Sequence, residues 1–147
     1  MVDCDSTVRK AYYSALNNTI SVSSGNVPFY SQVPSGTAYP YIYNSDFTKV
    51  PNRNKDRYGW DVTITLVIVS LFANNTGSQA TNDQIANSIE GIVMGSAVGV
   101  GLLTFGPNFT VVASELIMSN TMAPQDTDSG TVYYRIVKFK HNLQQFN

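Results

Sequence analysis

One long stretch, Arg57 to Phe72, constrains the fold more than any other part of the sequence. Its residues, RYGWDVTITLVIVSLF, alternate between apolar and polar over most of its length. Such alternation predicts a β-strand with one buried face. Because β-branched and aromatic residues dominate and no proline interrupts them, we expect a long, central strand. Its apolar face carries Tyr58, Trp60, Val62, Ile64, Leu66 and Ile68.

The opposite face of this strand is polar at Asp61, Thr63 and Thr65 and then also becomes apolar, at Val67, Val69 and Leu71. A later predicted strand, FTVVASELIMSNTM, has the same property. Strict alternation places Val112, Leu116 and Met118 on one of its faces and Val111, Ala113 and Ile117 on the other. Large exposed apolar patches usually mark interfaces. We therefore predict that Val67, Val69 and Leu71 contact another copy of the chain.

The whole sequence predicts an α+β fold in a single domain, 1–147. We expect an antiparallel sheet of about five strands with two helices on one face, in the order α-β-β-β-α-β-β. SVSSGN is expected to be a linker. The predicted elements are the helix STVRKAYYSALNN, the strands VPFYSQV and TAYPYIYNSD, the long strand, a helix opened by Ser78 or Thr81, and the strands FTVVASELIMSNTM and TVYYRIVKFKHNL.

The segment Phe47 to Asp56 is predicted to be a long polar loop. The densest positive cluster of the sequence lies there and just after it, at Lys49, Arg53, Lys55 and Arg57. Several charges that meet an acidic surface can steer docking and fix its register. We expect this loop to be poorly ordered in an isolated subunit and to become ordered against a neighbouring ring of proteins.

Composition excludes several classes of function. Only 13% of the 147 residues are charged, about half the usual share, and the formal net charge is −1. No strong electrostatic attraction to nucleic acid or to an anionic membrane is expected from such a chain. The apolar run from Ile92 to Phe105 contains three glycines and is too short to span a bilayer. We expect the glycine-rich stretch Gly95 to Gly106 to be a flexible connection.

Few residues are candidates for chemistry. Cys4 is the only cysteine, so no internal disulfide is possible and a reducing compartment is expected. Asp126, Asp128 and Gly130 resemble the start of a calcium loop, but the distant glutamate of that motif is missing, so an acidic hairpin tip is the better interpretation. We predict no catalytic residues, no cofactor and no metal.

His141 is the only histidine and carries the main alternative hypothesis. It could serve a small hydrolase or a nucleotide-modifying enzyme together with Asp126 or Asp128. Its place beside Lys138 and Lys140 near the end of the sequence predicts an exposed side chain. A third possibility is a monomeric binding module; the mass of the protein in solution separates a ring from a monomer.

The order of several segments resembles the small phage tail-completion and tail-terminator proteins, which join heads to tails. The segments are RKAYYSALNN, then Val33-Pro34 followed by Tyr39-Pro40-Tyr41-Ile42, then the long strand and DQIANSIEGIV. The resemblance implies a structural, non-enzymatic virion protein that forms a ring, usually a hexamer, at the head-proximal end of a tail or in the neck. It also implies tail-tube and connector proteins as partners and assembly in the host cytoplasm. DNA would pass through the ring without sequence-specific binding, and no membrane is involved.

Overall fold

The computed structural model describes residues 3–23, 25–53, 58–73, 77, 79–95 and 103–145. Among these residues, two helices and a majority of strand residues confirm the α+β class. The elements are α1 (Asp5–Leu16), β1 (Ile20–Val22), β2 (Gly25–Val27), β3 (Phe29–Tyr30), β4 (Tyr41–Arg53), β5 (Tyr58–Phe72), α2 (Ala80–Met94), β6 (Phe109–Thr121), β7 (Gln125–Thr127) and β8 (Gly130–Gln145).

One sheet dominates the fold, with the strand order β3-β4-β5-β8-β6. β5 lies at its centre, paired antiparallel with β4 on one side and with β8 on the other, as its sequence predicts. β6 pairs antiparallel with β8, while the short β3 pairs parallel with the start of β4. β7 forms a hairpin with the beginning of β8.

The predicted long loop is wrong for Phe47–Arg53. These residues extend β4, which pairs with β5 as far as Arg53 opposite Tyr58. The polar and basic side chains suggested a loop, but β5 is long enough to pair with this segment along its whole length. The prediction that this segment is poorly ordered in an isolated subunit is therefore wrong for Phe47–Arg53. Residues 54–57 lie outside the described residues.

The predicted linker SVSSGN is also wrong, because β1 and β2 form a small antiparallel hairpin there. Gly25 has φ +125, a conformation that side chains other than glycine rarely adopt. Ile20 and Val27 are paired across this hairpin and both are buried in the core. Burial of two apolar side chains thus fixes a segment whose polar composition is typical of a turn. Most of the predicted flexible connection, 96–102, lies outside the described residues.

Both helices pack on the same face of the sheet, as predicted. Helix α1 buries Val8, Tyr12 and Leu16, which lie one turn apart along one side. The buried residues of α2 include Ile85, Ile89 and Val93, with the same spacing. Both stripes join one core cluster with the sheet residues Val62, Ile64, Leu66 and Ile68 of β5 and Val137, Phe139 and Leu143 of β8.

Candidate assembly interface

The opposite sheet face, here called the open face, carries a second, smaller apolar cluster. At its centre are Val67, Val69 and Val132, which are 6%, 1% and 5% exposed. Neither described helix contributes to this cluster. The centre is covered by its neighbours on the same face, which are Tyr41, Tyr43, Leu71, Tyr134 and Ile136.

The register of the strands explains how Val67 and Val69 are covered. Val69 lies between Tyr41 of β4 and Tyr134 of β8, and Val67 lies between Tyr43 and Ile136. Side chains directly opposite each other on one sheet face pack in contact. The two valines are therefore covered within the subunit, whereas the sequence had suggested that they would be exposed. The surface that meets the surroundings is instead the layer of side chains over them.

Tyrosines form the outermost part of this layer. The tyrosine patch consists of Tyr30, Tyr39, Tyr41 and Tyr43. Ring centroids lie 5.3 Å apart for Tyr39 and Tyr41 and 6.2 Å apart for Tyr41 and Tyr43. Tyr30 meets Tyr41 edge-on at 6.2 Å. Partial burial raises the pKa of the Tyr41 and Tyr43 phenols, so both stay uncharged at neutral pH.

A second exposed apolar surface lies on β6, at the far edge of the sheet. The β6 strip consists of Leu116, Ile117 and Met118 of β6 and of Met122 just after its end, each between 38% and 47% exposed. The register shifts between Leu116 and Met118, whose partners on β8 are the consecutive residues Phe139 and Lys138. Leu116 and Met118 therefore point to opposite faces, which corrects the strict alternation expected for this strand. The bulge leaves three consecutive apolar side chains exposed at one point of the edge.

Lys49, from the predicted basic interface, makes its contacts within the subunit. Its ammonium pairs with Asp3 and, at 2.8 Å, with Asp5 at the start of α1. It also lies 4.8 Å from the centre of the Trp60 ring. Hydrogen bonds to the two carboxylates raise the pKa of Lys49. Lys49 thus joins β4 to α1, a role that the sequence did not indicate.

Of the other three basic residues of this cluster, the structure describes only Arg53. The Arg53 guanidinium lies 5.7 Å from the centre of the Tyr58 ring, at the end of β4. Lys55 and Arg57 lie outside the described residues. The use of this cluster in docking therefore stays a prediction.

His141 is completely buried, so its predicted exposure is wrong. Its Nε2 atom is hydrogen-bonded to the Tyr12 hydroxyl of α1, and its Nδ1 atom lies 2.7 Å from Ser114 Oγ of β6. Burial lowers the pKa of His141 to about 4 and raises that of Tyr12. Because the phenol keeps its proton, it can donate to Nε2 while Nδ1–H donates to Ser114. The neutral imidazole therefore joins three elements inside the core.

The alternation along β8 contained the signal for this burial. In KFKHNL, Phe139, His141 and Leu143 share one face, and Lys138 and Lys140 share the other. All three residues of the first set are buried beneath the helices. The neighbouring lysines suggested an exposed setting, but adjacent residues of a strand point to opposite faces.

The proposed pairing of His141 with an acidic residue is not formed. Thr131 Oγ1 donates a 2.7 Å hydrogen bond to Asp126 in the hairpin of β7 and β8. Thr131 and His141 belong to the same extended strand, ten positions apart, which corresponds to about 33 Å. Asp128 lies in the turn of the same hairpin. The structure thus does not bring together the residues of the hydrolase hypothesis.

Only one group among the described residues has the spacing of metal ligands, namely Asp3, Cys4 and Asp5. The Lys49 ammonium already neutralises both carboxylates. Burial raises the pKa of the Cys4 thiol to about 11, so the free thiol keeps its proton at neutral pH and a metal would have to displace it. The group therefore stabilises the start of α1 and is a poor metal site.

Comparison with known proteins reveals a shared fold. No family model matches the chain, and no curated protein matches it. Among solved structures, it is similar to a chain of the virion of a native gene transfer agent (GTA) particle, with a TM-score of 0.58 and 13% identity. The match covers 80% of this chain and 78% of that one. None of the described helices is long and apolar enough to cross a membrane.

Proposed function

We propose that this chain is a structural virion protein that forms a closed ring, most simply a hexamer. The ring would lie at the head-proximal end of a phage tail or in the neck, where it ends the tail tube and joins it to the connector. Assembly would take place in the host cytoplasm, and DNA would pass through the ring. The observation that carries this proposal is the open face, an apolar and aromatic surface that neither described helix covers.

Energetics support assembly on that face. Apolar surface removed from water contributes about 25 cal/mol per Å², so the patch gains free energy when a partner covers it. A monomer would leave that surface and the β6 strip in water, where large apolar patches favour association. Val67 and Val69 are already buried beneath this layer, so we propose that a partner contacts Leu71 and the side chains that lie over the two valines.

The fold shared with a chain of a gene transfer agent virion supports the choice of a virion protein over an enzyme. The burial of His141 and its distance from Asp126 remove the geometry on which the hydrolase hypothesis depended. The hexameric number and the place in the neck or tail come from the resemblance to tail-terminator proteins.

Sedimentation velocity of the purified chain tests the ring. We expect one dominant species at six times the subunit mass over a wide range of concentrations. A monomer at all concentrations would overturn the proposal.

The proposed docking role of the basic residues needs a separate experiment. Replacing Arg53 and Lys55 together by Glu should leave the ring mass unchanged and impair the joining of heads to tails. The matched control, Arg53→Lys with Lys55→Arg, keeps both charges and should join normally. Normal joining by the Glu variant would remove Arg53 and Lys55 from the docking surface.

A further inference from the structure

We propose that Arg9 and Arg53 anchor a docking surface that binds the carboxylates of a neighbouring acidic protein. This inference rests on the proposed docking of the ring to its neighbours. It adds a residue of α1 to that surface and gives the chemistry of the partner. The surface, here called the arginine row, consists of Arg9 and Arg53 and of the aromatic rings that they contact, Phe47 and Tyr58.

Three contacts between a cation and an aromatic ring follow one another along β4. The Arg9 guanidinium lies over the Phe47 ring, 5.4 Å from its centre. Lys49 makes the next such contact, and Arg53 makes the last one, at the end of the strand. The pairing of β4 with β5 shows no register shift from Phe47 to Arg53, so these alternate residues share the helix-covered face. The fold thus aligns a cation of α1 with those of β4.

The two arginines of the row are available to a partner, whereas Lys49 between them is not. Arg9 and Arg53 are exposed, and neither makes an ion pair within the part of the chain that the structure describes. The Lys49 ammonium is already paired with Asp3 and Asp5. Two unpaired positive charges therefore lie on either side of a neutralised one.

Contact with an aromatic ring prepares an arginine for a carboxylate. The guanidinium group is planar, packs on ring faces and carries its N–H donors in a fork that matches the two oxygens of a carboxylate. A side chain that a ring already holds in place loses less conformational entropy when the ion pair forms. The arginine row therefore offers two pre-positioned sites for acidic side chains.

The spacing of these charges favours an acidic protein over nucleic acid. Phe47 and Arg53 lie six positions apart on an extended strand, which corresponds to about 20 Å. Duplex DNA carries one charge per about 1.7 Å of its axis and binds surfaces that neutralise many phosphates together. Two separated cations on a chain of net charge −1 do not form such a surface. Two acidic side chains of one protein can match them.

Binding of an acidic peptide to the purified chain tests the arginine row. The probe is fluorescent poly-L-glutamate of about twenty residues, which is longer than the row when extended. Fluorescence anisotropy is measured in low salt, where screening is weak. We expect the wild type to bind this peptide. Arg9→Gln and Arg53→Gln should each weaken binding about threefold, and together about tenfold.

Lys10→Gln is the matched control. It removes the same charge from an exposed position of α1 next to Arg9, but consecutive residues of a helix point in different directions. This variant should bind the peptide as the wild type does. Far-ultraviolet circular dichroism should show the same fold for all variants.

Every other outcome overturns the inference. If poly-L-glutamate does not bind, or if Lys10→Gln weakens binding as much as Arg9→Gln, the two arginines are not the anchors. If duplex DNA of the same total charge binds more tightly than the peptide, the partner is nucleic acid. Sedimentation of the same samples tests the ring separately. A monomeric wild type that binds the peptide overturns the ring and leaves the arginine row intact.

Discussion

The two faces of the central strand bury their side chains in different ways. On the helix-covered face, Ile64 and Leu66 are completely buried beneath α1 and α2. On the open face, Val67 and Val69 reach almost the same burial through cross-strand neighbours alone. The difference lies in the covering layer. The exposed residues of the helices are mostly polar, with Tyr13 as the exception among large apolar ones, whereas the cover of the open face consists of partly buried aromatic and aliphatic side chains. A sheet face can therefore be packed in the subunit and still offer an apolar surface to a partner.

The two faces should differ most in how much stability is lost when a side chain is truncated in the core. Ile64→Ala leaves a cavity beneath the helices and should lower the free energy of unfolding by about 2–5 kcal/mol. Thr63→Ala, the neighbour on the open face, should change it by less than about 0.5 kcal/mol. Urea unfolding at one fixed, low subunit concentration measures both. Equal losses would show that the two faces do not differ as described.

The buried imidazole makes the helix-covered face sensitive to acid. The pKa of His141 is about 4 in the folded state, below the ordinary value of 6.5, so the unfolded chain binds the proton first as pH falls. Stability should be complete above pH 6.5 and should fall between pH 6.5 and 4, by on the order of 3 kcal/mol.

Urea unfolding at a series of pH values tests this dependence. His141→Gln, which keeps hydrogen-bonding groups and does not titrate, is the control for the carboxylates that also titrate in acid. The wild type should lose more stability than this variant over the same range. Parallel curves would contradict the assignment of the acid sensitivity to His141.

Sequence reasoning succeeded where periodicity is long and local. The alternation over Tyr58–Phe72 correctly gave β5, the segment STVRKAYYSALNN correctly gave a helix where α1 lies, and the α+β class is confirmed. It also identified the apolar positions Val67 and Val69, but their cover depends on strands that are distant in sequence. The packing of Tyr41 and Tyr134 on Val69 therefore could not be predicted from any local pattern.

The errors arose where tertiary partners override local composition. Phe47–Arg53 has the residues of a loop, yet it pairs along β5. The ion pairs of Lys49 with Asp3 and Asp5 depend on the same pairing. It brings Lys49 into contact with two residues that lie 46 and 44 positions earlier in the chain. His141 was misjudged from its neighbouring lysines, although the alternation of β8 was available.

Truncation of a side chain at the centre of the open face is expected to have an intermediate effect on the free energy of unfolding. Val69→Ala removes two methyl groups that are covered only by neighbouring side chains. At about 0.8 kcal/mol per buried carbon group, the free energy of unfolding should fall by about 1.5 kcal/mol, less than it falls for Ile64→Ala. Urea unfolding under the same conditions gives the comparison. A loss as large as that of Ile64→Ala would mean that this face is packed as tightly as the core.

Substitution of Lys49, at the margin of the helix-covered face, is expected to have the smallest effect on the free energy of unfolding. Lys49→Met keeps the apolar stem and removes the ion pairs with Asp3 and Asp5 and the contact with Trp60. The cost should be less than about 1 kcal/mol and should shrink further in high salt, because exposed ion pairs are screened. Thermal unfolding in low and high salt measures it. A cost that does not depend on salt would assign the role of Lys49 to its packing.

Electron microscopy of the purified wild-type chain tests the central claim most directly, because it shows whether copies of this subunit cover one another in a closed assembly. We predict class averages of closed rings with six-fold symmetry, in which the tyrosine patch of each copy lies against its neighbour. Isolated single subunits, with the patch and the β6 strip both in solvent, would contradict the account.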